Sequence, residues 1–300
     1  MINTTFIPRD AGFFSVFNFY VGTLYKGVRS YPYFNKQVFL NINNGNNQHF
    51  CYWTDSENCW FDYFQPVKFN DDDVIHLTNE YKTFPIDVGF NAPEEFRIPE
   101  KTKNLILSPD FIEWRKRIHE VYSKYVKFHP NILHIVDTFW SYNINDSSNV
   151  IGIHYRHPSH FVESGKIYLD SYFNQVDQIL SSNPESKIFL ASDSSFGVYA
   201  FLERYGNKVC YFPEIDRITM SEFLEWAFSL SEGKPDHVGF VNGKGYELHH
   251  KRIGKNNHQM TYDLLCEVLC LSKCSQLIHT TSNIALALSY INPHLKLISI

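Results

Sequence analysis

From residue 150 onward the chain alternates short apolar runs with segments of helical pattern, and that alternation limits the fold more than any other feature. The apolar runs fall at 150–155, 187–191, 208–212, 276–279 and 295–300. Between them the spacing predicts helices over 169–182, 196–205, 221–230, 259–273 and 283–291. Strands separated by helices of roughly 10–15 residues build right-handed βαβ units and a parallel sheet. The fold class is therefore α/β. Ahead of this block, the polar stretch 143–149 suits a domain boundary. The chain then divides into an α/β unit over 1–148 and a second over 149–300.

The first half is less regular. Gly12 ends a turn that feeds an amphipathic helix with apolar positions up to Tyr25, and such a turn either packs a helix on a sheet or presents N–H groups to an anion. A short strand is expected over 37–41, followed by an asparagine-rich loop over 43–48. The aromatic run 59–66 reads as buried, and 68–104 as loop-rich. Ser108-Pro109-Asp110 opens a long helix to about His129, with Ser108 as N-cap and Pro109 in the first position. Arg115, Lys116, Arg117, Lys124 and Lys127 are expected on its solvated face.

Parallel strands end on a common rim, so polar residues that follow them converge there. Three of these ends are polar: His154 and Arg156, then Ser192 and Asp193, then Thr280, Thr281, Ser282 and Asn283. The third also starts a helix, where unpaired N–H groups and the dipole favour an anion. Arg156 keeps its charge at any working pH and offers two parallel donors, which suits a diphosphate; the bland alternative is a surface arginine closing a strand. No GxGxxG, GxxxxGK[ST] or HExxH pattern occurs.

Bulk properties exclude several classes. A formal charge of −5, with the fourteen histidines neutral, argues against nucleic-acid backbone binding as the main activity. The run Asp71-Asp72-Asp73 reads as solvated surface, and no metal site is expected. Cys266, Cys270 and Cys274 recur every four residues, which fits a packing stripe better than a metal site. No run approaches the roughly 20 apolar residues of a membrane span, and no signal-peptide pattern opens the chain, so a cytoplasmic protein is expected.

Three segments carry a family resemblance. Ile151-Gly152-Ile153-His154-Tyr155-Arg156, Phe189-Leu190-Ala191-Ser192-Asp193 and the stretch 264–283 occur in that order. Together they resemble the motifs of the α1,6-fucosyltransferase and protein O-fucosyltransferase superfamily, which includes rhizobial nodulation fucosyltransferases. The resemblance implies a GT-B-like pair of Rossmann-type domains with parallel sheets facing a central cleft. It also implies an inverting, metal-independent fucosyltransferase with GDP-fucose as donor and a glycan or glycoprotein as acceptor. On the matching positions, Arg156 clamps the β-phosphate, His154 and Asp193 flank the nucleotide, and Glu267 stands where the family has an aspartate pairing with the guanine edge. Thr281, Ser282 and Asn283 hold phosphate, and Glu163 is the candidate general base. The chain departs from the family where Arg156 is followed by His157-Pro158-Ser159-His160 instead of a second arginine and an aspartate. Those positions lie between donor and acceptor, so the sugar and the base stay open. The alternatives are a non-catalytic nucleotide-sugar or glycan-binding protein, a transferase using another nucleotide sugar, or a hydrolase or epimerase acting on one. Tyr246, His249 and His250 are weaker candidates for acceptor contact.

Overall fold

The computed structural model describes residues 2–6, 13–30, 38–42, 59–65, 99–144, 149–156, 168–231, 240–241, 244–245 and 257–300. Gly12, Cys51, Asp71–Asp73, His157–His160, Glu163, Tyr246, His249 and His250 lie outside them.

Five strands form the central sheet: β3 (Val150–Tyr155), β4 (Lys187–Ser192), β5 (Val209–Cys210), β8 (Gln276–His279) and β9 (Lys296–Ser299). All pairings are parallel, in the order β5-β4-β3-β8-β9. Counted within this sheet the order is third, second, first, fourth, fifth, which is that of a doubly wound α/β sheet. Its switch point lies between β3 and β8. Every residue of β3 is buried, as expected of a strand covered on both faces and written as an unbroken apolar run.

Two apolar layers cover the sheet. One face carries Ile151, Ile153, Tyr155, Ile188, Leu190 and Ile278, packed against α5 (Leu169–Ser182) and α6 (Ser195–Tyr205). Tyr155 reaches this layer only because Gly197 of α6 has no side chain: a Cβ there would lie 2.4 Å from the Tyr155 ring. The other face carries Val150, Phe189, Ala191, Leu277 and Leu297. It packs against α1 (Phe13–Ser30), α3 (Pro109–Tyr125), α4 (Pro130–Asn143), α8 (Asn257–Ser272) and α9 (Asn283–Ile291) as one cluster drawn from both sides of residue 149. The remaining elements are a parallel pair, β1 (Ile2–Phe6) with β2 (Val38–Ile42), and α2 (Pro99–Leu105). A small antiparallel pair, β6 (Phe240–Val241) with β7 (Lys244–Gly245), precedes α8, and α7 (Met220–Ser231) follows β5. The aromatic run 59–65 is buried at Trp60, Tyr63 and Phe64, with Trp60 stacked between Tyr20 and Phe64.

The helix expected over 108–129 is α3, and it stops short of that span. Ser108 caps α3 as its sequence predicts, accepting from the Phe111 amide at 3.2 Å. The helix then ends at Tyr125, because Phe128 pairs with Phe64 and Gln65 N–H donates to the Lys127 carbonyl at 2.8 Å. Pro130 starts α4, which packs along α8. A second correction concerns Arg115. It is buried at 5% exposure, whereas Lys116, Lys124 and Lys127 are exposed. Its guanidinium closes the C-terminal end of α9, donating to the carbonyls of Ser289 (2.6 Å), Asn292 (3.1 Å) and Leu295 (2.8 Å). Orphan helix carbonyls want such a donor. Cys266, Cys270 and Cys274 are all buried free thiols in the core, though Cys274 lies just past the end of α8. No helix among the described residues is long and apolar enough to cross a membrane.

Candidate functional site at the sheet switch point

The carboxyl ends of β3 and β8 stand side by side, with His154 in register with His279. His154 is buried at 7% exposure, and its Nδ1 lies 3.4 Å from the Ser282 hydroxyl. Ser282 is the N-cap of α9 and accepts from the Ala285 amide at 3.0 Å. One contact therefore joins the β3 end to the helix start that the sequence marked for an anion. Thr281 is buried, with its hydroxyl 3.5 Å from that of Thr102 in α2. Asn283, the first residue of α9, is exposed. Arg156, one residue beyond β3, is half-buried.

Asp193 follows β4, next to this pair of strands. It is half-buried, and its charge acts on both Tyr155 and Glu267. Burial first and Asp193 second push the Tyr155 phenol up to about 12. Glu267, on α8, is buried at 7% exposure and ion-paired to Arg217, Nη2 to Oε1, at 3.1 Å. Burial pushes its carboxyl up to about 8, against the pull of Arg217. Of the sequence-marked residues, His154, Thr281, Ser282, Asn283 and Arg156 gather at the β3/β8 ends. Asp193 and Glu267 stand on the β4 side. Gly12 and Glu163 lie outside the described residues.

Three participants were not anticipated. Tyr172 of α5 donates its hydroxyl to the His154 carbonyl at 3.0 Å and so fixes the end of β3 from below. Asn18 of α1 donates its amide to the Asn283 carbonyl at 2.9 Å and accepts from the Tyr290 hydroxyl at 2.6 Å. Arg217 donates Nε–H to the Ser192 carbonyl at 3.0 Å. Asn18 had a faint signal, as a lone amide on an otherwise apolar helix face; Arg217, in an aperiodic loop, had none.

A doubly wound sheet with an arginine and a capped helix start at its switch point is the arrangement that receives anionic ligands in this class of α/β protein. No protein-family model matches the chain, and no curated protein does. Solved structures do match. Fucosyltransferase NodZ from Bradyrhizobium is 15% identical over 97% of this chain and 92% of that one, with a TM-score of 0.50. NodZ α-1,6-fucosyltransferase soaked with GDP-fucose is 13% identical over 98% and 93%, with a TM-score of 0.52. The same enzyme co-crystallised with GDP gives 15%, 97%, 92% and 0.50. At such identities the likeness is one of fold, and it spans nearly the whole chain. The resemblance read from three short motifs thus extends to the fold of NodZ.

Proposed function

We propose that the chain is an inverting glycosyltransferase that moves fucose from GDP-fucose to a hydroxyl of a glycan or protein, without a metal. In this reading the architecture is GT-B-like, with a second Rossmann-type domain in the first half and a cleft between the two. The observation that carries it is the switch-point rim. Arg156 follows β3, Asp193 follows β4 and Ser282 caps α9 at the carboxyl ends of a parallel sheet, in a chain similar in fold to NodZ, a protein solved with GDP-fucose and GDP.

The chemistry follows from where charge develops. As the bond from the sugar's anomeric carbon to the diphosphate breaks, negative charge grows on the departing GDP. Arg156 and the first N–H groups of α9, near Thr281, Ser282 and Asn283, neutralise it. His154 orients the Ser282 cap. Glu267 and Asp193 face the nucleoside. A carboxylate must take the acceptor's proton as the new bond forms, and Glu163 is assigned that role.

Replacing Arg156 with alanine is expected to cut transfer on the order of 100-fold or more and to weaken GDP binding, with the melting temperature unchanged. Full turnover in that variant would sink the assignment. Titration calorimetry against GDP, UDP and ADP tests the base: tight UDP binding without GDP binding rejects the guanine reading. Donor binding with neither transfer nor hydrolysis would make the chain a binding protein on the same scaffold.

A further inference from the structure

Arg217 is nearly buried at 7% exposure, in the segment between β5 and α7, and it braces three parts of the molecule at once. Its Nε donates to the Ser192 carbonyl at the end of β4 (3.0 Å) and its Nη1 to the Ile215 carbonyl of its own segment (2.9 Å). Its Nη2 holds Glu267 of α8 (3.1 Å), and its guanidinium carbon lies 5.3 Å from the centre of the Tyr211 ring. The neighbouring residue continues the brace. Ile218 N–H donates to the Asp193 carbonyl at 2.8 Å, and Ser195 returns both its N–H (3.0 Å) and its hydroxyl (2.9 Å) to the Ile218 carbonyl. The segment thus lies across the carboxyl end of β4, on the rim.

The charge pattern shows what the brace holds together. Arg217, Asp193 and Asp263 act on the Glu267 carboxyl, and the Ser192 backbone also bonds to it. Asp263 in turn feels Glu214, Asp216 and Arg217. Burial chiefly, and the Glu267 charge as a lesser cause, raise the thiols of Cys266 and Cys270. Among the described residues Arg217 is the cation acting on these carboxylates. An ionised carboxylate only accepts hydrogen bonds, whereas a protonated one also offers an O–H. Removing a cation beside a buried acid favours the protonated form.

We propose that Arg217 is a positioning residue for the nucleotide. By bracing Glu267 against the Ser192–Asp193 turn it favours the acceptor form of that carboxyl, set to meet a nucleobase edge that presents N–H donors. The inference rests on the reading that this rim binds a nucleotide sugar, and it adds a residue that acts through Glu267 without touching the ligand.

The test is GDP affinity as a function of pH, from about pH 6 to pH 9, for the unaltered protein and for Arg217→Met, Arg217→Lys and Glu267→Gln. With Arg217 beside it the Glu267 carboxyl ionises near pH 8, so GDP affinity of the unaltered protein should rise toward pH 9. Arg217→Met is expected to lose that rise, binding about tenfold or more weaker at pH 9 and with a smaller deficit near pH 6. Arg217→Lys restores charge without the planar fork and should fall between the two. A loss of the same factor at every pH, or no loss, overturns the proposal. Should Arg217→Met fail to fold, Glu267→Gln decides: its GDP affinity should lose the pH dependence that the unaltered protein shows on the alkaline side, and an unchanged profile overturns the proposal. If the unaltered protein binds no GDP at any pH, the donor reading itself falls, and this inference with it.

Discussion

Two buried titratable side chains set opposite limits on the pH range in which this protein is stable. Burial drops the His279 imidazole from 6.5 to about 4, and its Nδ1–H donates to the Thr280 carbonyl at 2.9 Å. Below pH 6.5 the unfolded chain takes up a proton that the folded chain refuses, so stability falls as pH drops from 6.5 to about 4, by about 3 kcal/mol. Glu267 works the other way. Its carboxyl rises from 4.5 to about 8 through burial, so the folded chain keeps a proton that the unfolded chain has released, and stability falls as pH rises across that window. Urea denaturation over a pH series should show losses on both sides of a broad maximum, and Glu267→Gln should remove the alkaline loss while leaving the acid one. An alkaline limb unchanged in that variant would contradict the account. Gly197→Ala is a steric counterpart. The new methyl meets the buried Tyr155 ring, and the expected cost is about 1–3 kcal/mol in the same assay. Neither Arg115 nor Arg217 was legible in the sequence as a buried cation, because their partners are main-chain carbonyls and a carboxylate far along the chain. A periodic pattern places a residue on a face of its own helix; it does not say what later packs there.

Helix α9 is held at both ends by elements from the first half of the chain. Asn18 of α1 binds its first carbonyl, while Arg115 and His119 of α3 bind carbonyls at its far end, His119 Nδ1 donating to Tyr290 at 2.8 Å. The helix start that is proposed to face the diphosphate is therefore set from both directions. Arg115→Met should leave the carbonyls of Ser289, Asn292 and Leu295 short of a donor and cost about 3 kcal/mol of stability in urea denaturation. A stability within a few tenths of a kcal/mol of the parent would show that water replaces the guanidinium. Most second-half elements were readable to within a residue or two, because buried parallel strands are continuous apolar runs and because Ser194 and Ser282 mark helix starts by capping. The run 208–212, however, pairs only at Val209–Cys210, and the β6–β7 pair was not read. The break at 126–129 was not read, although Pro130 in a first helical position was its signal.

Across the whole molecule the polar strand ends were legible and the strand order was not. Sequence shows which strands lead into His154, Asp193 and Thr281; only pairing shows that β3 and β8 are neighbours and that the order of the strands reverses between them. Nor could the reach of the core be read. Phe13, Phe17, Tyr122 and Tyr125 belong to the same apolar cluster as Leu286, Tyr290 and Leu297. A fragment of residues 149–300 should therefore bare that face of the sheet and α9, bind a hydrophobic dye and lack a cooperative thermal transition; a sharply melting monomer would contradict this. The same cluster bears on how the protein is made. A ribosome releases α1 and α3 long before it reaches residues 283–297, so their aromatic faces wait for the surface that covers them. Synthesis of this chain should accordingly depend on chaperones that hold apolar segments until the last helix and strand emerge.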